Sequence, residues 1–274
     1  MIRDITIGQY YPAKSVLHRL DPRVKLVGTL LYLISLFLFN SIPGYVMTTL
    51  FLIIIIKMSR VPFSFIVRGL KPVIMLLMIT VLFNLFLTRD GAVLFHAWIF
   101  TITEGGLRTA VYMAIRLIYL IIGSSLMTFT TTPNELTDGI EELLGPLNKI
   151  HVPVHEIAMI MSIALRFIPI LLEETDKIMK AQIARGADFE SGNILQRAKA
   201  MIPILVPLFV SAFRRANDLA MAMEARCYHG GDGRTKMKPL QYHRNDRVAY
   251  LITLLYLVAI VGIGRYIPFK IWIF

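Results

Sequence analysis

Long apolar runs alternate with short polar breaks along most of the chain. Five of them read as membrane-crossing helices: Val24 to Phe39, Tyr45 to Ile56, Val73 to Leu87, about Gly106 to Phe129, and about Arg247 to Gly264. The first two are short for spans of about 20 residues, so they read as a hairpin whose flanking residues complete each crossing. Asn40-Ser41-Ile42-Pro43-Gly44 supplies its turn. Asp21-Pro22 starts the first helix, with Asp as N-cap and Pro in the first turn, where its missing N–H costs nothing. Lys57-Met58-Ser59-Arg60 stops the second run, and Pro62 breaks the chain again. Residues 88–104, from Thr88-Arg89-Asp90-Gly91 to Glu104, read as a loop. Its apolar piece, Val93 to Phe100, is too short to span and is expected at the membrane surface.

The pattern changes after Thr131. Thr132-Pro133-Asn134-Glu135 is a capping box with proline at the first helical position. The helix it opens sets Leu136, Ile140, Leu143, Leu144 and Leu147 against Asp138, Glu141 and Glu142, so it is amphipathic. A long helix follows from Pro153 to about Arg185, with a kink expected at Pro169. Its second half (Glu173, Glu174, Asp176, Lys177, Lys180) is too charged for lipid. Ser191-Gly192-Asn193 turns the chain into another long helix, about Ile194 to Tyr228, bent near Pro203 and Pro207. Gly230-Gly231-Asp232-Gly233 ends it, and a basic linker leads to the last span. The expected fold is an all-α integral membrane protein. Residues 1–130 form four spans, 131–230 a cytosolic module of three amphipathic helices, 231–246 a linker and 247–274 the last span.

Composition supports a membrane protein. Of 274 residues 56% are hydrophobic, and the mean hydropathy is +0.63. The net charge of +11 fits cytoplasmic segments of a membrane protein better than a nucleic-acid surface. The N-terminal arm carries five Lys and Arg, residues 57–71 four and residues 131–247 fifteen, against Arg89, Arg265 and Lys270 on the other side. That asymmetry places the N-terminus inside and the C-terminus outside. The single cysteine, Cys227, excludes an intramolecular disulfide and a cysteine-rich metal site. Residues 1–22 are polar, with no leading apolar run of a signal peptide.

Candidate chemistry is sparse. No phosphate loop is present; Gly231-Asp232-Gly233-Arg234-Thr235-Lys236 lacks the order that cradles phosphates, so ATP hydrolysis by this chain is not expected. His151 and His155 flank Pro153 and have no third metal ligand, so no metal is expected. Ser124 and Ser125 suit helix packing. Arg116 lies deep in the fourth span, where a charge costs about 2.5–3.5 kcal/mol. It is either a structural arginine satisfied by carbonyls or Asn84, or a contact to a partner membrane subunit. A transferase would need acidic metal ligands or a His/Asp pair, and Glu141, Glu142, Glu173, Glu174 and Asp176 lie on solvated faces. A self-contained carrier would need polar, unwound spans, for which only Arg116 and Asn84 qualify.

The two long helices carry the strongest signal. Both are apolar nearly all round, and Met159, Met161, Met179, Met201, Met221 and Met223 cluster on them. Methionine suits a surface that re-packs against more than one partner. Each helix also ends in an arginine between small residues: Ala184-Arg185-Gly186 and Ala225-Arg226-Cys227. Helices of thirty-odd residues reach about 45–50 Å. An arginine with small neighbours can enter a groove and fork onto carboxylates or carbonyls.

Taken with Ser15-Val16-Leu17-His18-Arg19-Leu20-Asp21-Pro22-Arg23, Thr131-Thr132-Pro133 with Glu135-Leu136, Ala164-Leu165-Arg166-Phe167-Ile168-Pro169, Ala181-Gln182-Ile183-Ala184-Arg185-Gly186 and Ala222-Met223-Glu224-Ala225-Arg226-Cys227-Tyr228, the chain resembles the transmembrane (T) component of energy-coupling factor transporters. These are ABC-class importers of vitamins and metal ions in prokaryotic cell membranes. The resemblance implies two cytosolic ABC-type ATPase subunits as partners, one docking on each arginine motif. It implies a small membrane-embedded substrate-binding S component on the apolar helix faces, where Met159, Leu165, Met201, Leu205 and Phe209 are the expected contacts. ATP would be bound by the partners, and this chain would need no cofactor. The second motif reads Ala-Arg-Cys where the family has Ala-Arg-Gly.

Overall fold

The computed structural model describes residues 10–88, 92–97, 100–189, 193–231 and 237–266. The expected loop residues 89–91, the turn at 191–192 and the glycine-rich stretch 232–236 lie outside the described residues. The helices are α1 (Pro22–Ser35), α2 (Ile42–Ser59), α3 (Phe63–Leu70), α4 (Ile74–Leu87), α5 (Glu104–Thr130), α6 (Pro133–Leu144), α7 (Val154–Ala184), α8 (Ile194–Glu224) and α9 (Arg244–Tyr266). The third apolar run enters its helix ten residues earlier than the pattern implied, because α3 and a 3-10 turn over Lys71–Val73 lead straight into α4. The apolar piece expected near Val93 forms a short antiparallel hairpin, β1 (Val93–Ala97) against β2 (Phe100–Thr103). The otherwise all-helical fold thus gains two short strands.

Among the described residues, six helices are long and apolar enough to cross a membrane: α2, α3–α4 together, α5, α7, α8 and α9. The sequence pattern gave five spans. The two counts differ because α1, at 14 residues, is too short to cross a membrane alone, while α7 and α8 each contain an apolar stretch of span length. Two compact units are distinguished: Gly8–Gly139 with Leu240–Phe274, and Ile140–Pro239.

In the first unit, the predicted caps form. Asp21 accepts the Arg23 N–H at 2.9 Å, with Pro22 at the first helical position. Thr132 and Glu135 cap each other: the Thr132 N–H donates to Glu135 Oε2 at 3.1 Å and the Glu135 N–H to Thr132 Oγ1 at 3.3 Å. Around Asp21 lies a polar knot. Asp246, from the first turn of α9, is 1% exposed and accepts two backbone N–H groups, from Asp21 at 2.8 Å and from His243 at 2.7 Å. Arg23 forks onto the Asp21 carboxylate and lies 4.0 Å over the Tyr242 ring. Lys25 donates to the carbonyls of His18 at 3.2 Å and Thr130 at 2.8 Å, tying the end of α5 to the start of α1. The ring of His18 sits between Ser15 Oγ (2.7 Å) and the Tyr11 carbonyl (2.9 Å). Since a carbonyl only accepts, Nε2 carries the proton there and Nδ1 takes the serine hydroxyl.

Below the knot, the core is built from α1, α2, α3, α5 and α9 around Tyr32, Leu36, Phe39, Ile66, Phe129 and Ile260. Tyr256 of α9 stacks on Phe51 at 4.1 Å, and its hydroxyl meets Ser35 and Thr48, both at 3.1 Å. Gly123 gives the Tyr32 ring room, because a Cβ there would run into it.

Arg116 finds its partners in the turn between α1 and α2. One guanidinium nitrogen donates to the Phe39 carbonyl at 3.2 Å, Asn40 Oδ1 at 2.7 Å and Tyr45 Oη at 3.2 Å. Asn84, the expected alternative, instead donates to the Thr80 carbonyl on its own helix. Arg116 is near the middle of the 27-residue α5. The guanidinium thereby satisfies the Phe39 carbonyl and the Asn40 side chain of the turn that joins α1 to α2.

Replacing Asp246 by alanine strands the buried Asp21 N–H and removes the partner of the part-buried His243 N–H, a buried donor being worth about 1–3 kcal/mol unpaired. Asp246→Ala is expected to lower stability by about 2–4 kcal/mol in thermal unfolding of the purified chain, and Asp246→Asn, which keeps one acceptor, by less. Equal, negligible losses would contradict the knot.

Candidate functional site

In the second unit, α7 and α8 each run 31 residues, unbroken through Pro169 and through Pro203 and Pro207. They lie antiparallel along their contact. Arg215 Nη2 reaches Glu174 Oε2 at 2.7 Å, and Gln182 Nε2 donates to the Pro203 carbonyl at 3.3 Å. These two links sit on successive levels of the pair and fix its register.

Both helices end in the same backbone device. At the end of α7, Arg185 is the C-cap and Gly186 follows with φ 85°. The Gly186 N–H returns to the Ile183 carbonyl at 2.9 Å and the Ala187 N–H to that of Gln182 at 3.0 Å. This is a Schellman turn. At the end of α8, Cys227 takes φ 55°, its N–H returns to the Glu224 carbonyl at 2.8 Å, and the Tyr228 N–H to that of Met223 at 3.1 Å. Arg226 thus occupies the position equivalent to Arg185. The cysteine keeps the glycine's left-handed conformation, at the cost L-residues bear there, of about 1–2 kcal/mol. A Cβ on Gly186 would meet nothing within 4 Å, so backbone conformation is what that position requires within this chain.

Ala184, Arg185, Gly186, Ala225, Arg226 and Cys227 are all exposed. Both guanidinium groups stand at helix C-termini, where the dipole favours a cation. The structure does not bring the two together. Gln182 touches Pro203, and from Pro203 to Arg226 is about 35 Å along α8, so the arginines are separate points at opposite ends of the pair.

The expected S-component contacts divide. Met201, Leu205 and Phe209 are 53%, 44% and 61% exposed and follow one another at four-residue spacing, a stripe that Phe213 extends. Met159 and Leu165 on α7 are half-buried. Near the start of α7, His155 Nδ1 pairs with Glu141 Oε1 at 2.8 Å, a carboxylate partner that sequence reading did not assign to it. The Glu174–Arg215 link was also missed: residues on different helices carry no local signal of pairing.

A family model described as CbiQ, cobalt transport protein, matches residues 13–237. The energy-coupling factor transporter transmembrane protein EcfT of Clostridium kluyveri is 56% identical over 266 residues, covering 97% of this chain and 98% of that protein. The EcfT proteins of Acidaminococcus fermentans (50% over 268 residues, 98% and 100% covered) and Bacillus subtilis (49% over 261 residues, 95% and 98% covered) are similar as well. With its apolar helices of span length, the chain is a multi-pass membrane protein of the transporter class. It belongs to the family of transmembrane components of energy-coupling factor transporters.

Opposite effects are expected at the two tips. Gly186→Ala forces a side chain into the left-handed region and costs about 1 kcal/mol, while Cys227→Gly removes a comparable strain. Amide hydrogen exchange of the last helical turn should speed up roughly fivefold in the first variant and slow in the second, about 1 kcal/mol each way. A change of the same sign at both ends would refute the equivalence of the two turns.

Proposed function

We propose that this chain is the coupling subunit of an ABC-type importer, carrying ATP-driven motion from two cytosolic ATPase subunits to a membrane-embedded S component that binds a vitamin or metal ion. The observation that carries this reading is the pair of matched, exposed arginine tips at opposite ends of one antiparallel helix pair. One partner at each tip suits that arrangement, and a guanidinium at an exposed helix end can form a bidentate bond with a carboxylate or fork onto carbonyl groups. The Glu174–Arg215 and Gln182–Pro203 links join the helices, so motion imposed at either tip is shared by both.

The apolar stripe of Met201, Leu205 and Phe209 is the receiving face for the S component. Its adaptable methionine suits a partner that changes orientation, or several partners in turn. The N-terminus and the arginine tips lie on the cytoplasmic side in this reading, as the positive-charge asymmetry requires. ATP is bound and hydrolysed by the partner subunits, and this chain contributes no cofactor.

Charge reversal at both tips tests the docking. The Arg185→Glu, Arg226→Glu double variant is expected to lose about 2–5 kcal/mol per contact and to leave the membrane without its ATPases in affinity purification. The S component should still co-purify. Undiminished ATPase recovery would rule out the tips as docking points.

A further inference from the structure

Where the N-terminal arm, the end of α2 and the start of α9 meet, four cations line one open pocket of about 440 Å³: Lys14, Arg19, Lys57 and Arg60. Ser15 and Asn245 complete its polar lining, and no carboxylate faces it among the described residues. All four cations are exposed. Arg60 donates to the Lys14 carbonyl at 3.4 Å, which draws the arm against the end of α2. Lys57 and Arg60 stand at the C-terminus of α2, where the helix dipole accounts for a cation. That explanation does not extend to Lys14, which lies in extended chain, or to Arg19, on a three-residue 3-10 turn. Four like charges gathered without an acidic partner repel one another, and an anion relieves the repulsion.

The pocket does not end at its charges. Met58 lines it and also lines a second, apolar groove of about 230 Å³ that runs between α1, α2, α5 and α9. Leu17, Val24, Ile54, Met127 and Ile252 form its walls. It opens among residues of spanning helices, beside exposed apolar side chains such as Ile54 and Ile252. The charged pocket is at the membrane surface that carries the chain's positive excess, by its position between the end of α2 and the start of α9.

We propose that pocket and groove together hold one anionic phospholipid, its phosphate among Lys14, Arg19, Lys57 and Arg60 and one acyl chain along the groove. Cations at a membrane surface gain from anionic lipid at about 1 kcal/mol each, roughly a factor of five in affinity. The site joins the N-terminal arm, α2 and α9, three segments distant in sequence, so an occupying lipid stabilises the closed membrane unit rather than one helix.

The test is thermal unfolding of the full chain in neutral detergent, titrated separately with dioleoylphosphatidylglycerol, dioleoylphosphatidylcholine, glycerol 3-phosphate and inorganic phosphate. The expected result is a saturable rise in Tm with phosphatidylglycerol alone, weakened at high salt. The Arg19→Gln, Lys57→Gln variant should need about twentyfold or more phosphatidylglycerol for the same rise, whereas Arg108→Gln, an exposed cation elsewhere, should not. Met58→Asp, which sets a carboxylate at the junction, should abolish the rise. An equal rise with phosphatidylcholine would mean an unselective apolar groove. An equal rise with either soluble phosphate would mean an anion pocket that takes no lipid. Either result overturns the proposal without relying on the folding of any variant, as does an unchanged titration in Arg19→Gln, Lys57→Gln.

Discussion

A buried carboxylate is costly unless its oxygens are hydrogen-bonded, and Asp246 meets that demand with two backbone N–H groups. One belongs to Asp21, at the cap of α1, across almost the whole sequence. This single requirement returns the chain to its starting point after the Ile140–Pro239 excursion. It closes α9 onto α1, and Arg23 and Lys25 extend the same knot to Tyr242 and to the end of α5. This unit is closed by contacts among its own residues, Gly8–Gly139 with Leu240–Phe274. The Arg116 cluster answers a similar demand at the other end of α1, where the Phe39 carbonyl and the Asn40 amide oxygen of the turn need a donor.

Much of this was legible because the signals were local. Asp21-Pro22 and Thr132 with Glu135 formed the caps that their spacing predicts, since a capping bond spans only two or three residues. The start and end of α7 followed from Pro153 and Gly186, whereas α8 stops at Glu224, short of the expected Tyr228, because the left-handed turn at Cys227 ends it before the glycines are reached. The all-helical membrane class followed from the apolar runs, and relatives that cover nearly the whole chain share the transporter name. What stayed hidden was long-range. Asp246 reads as an ordinary first-turn acid, and nothing near it in sequence points to Asp21. The partner of Arg116 was assigned to carbonyls or Asn84; the carbonyl alternative is the one realised, with Asn40 supplying the amide. The β1–β2 hairpin was missed because its strands are short, and an apolar stretch of that length has no decisive period.

Cys227 shows how sequence and backbone can part. A cysteine stands where the other tip has glycine, yet the chain bends there in the same way, with the same two returning N–H bonds. What the two tips share is thus a conformation that presents an arginine at a helix end, more than a residue triplet. Together with the antiparallel register set by Glu174–Arg215, this makes α7 and α8 a rigid pair with two equivalent ends and an apolar side.

The most direct measurement of that account is site-specific photocross-linking in cells, with a photoreactive amino acid placed at position 187 beside one tip, at 229 beside the other, and at 209 on the apolar stripe. The account predicts adducts with ATPase subunits from 187 and 229 and with a small hydrophobic membrane protein from 209. Adducts with lipid alone from 187 and 229, or the membrane partner at all three positions, would contradict it.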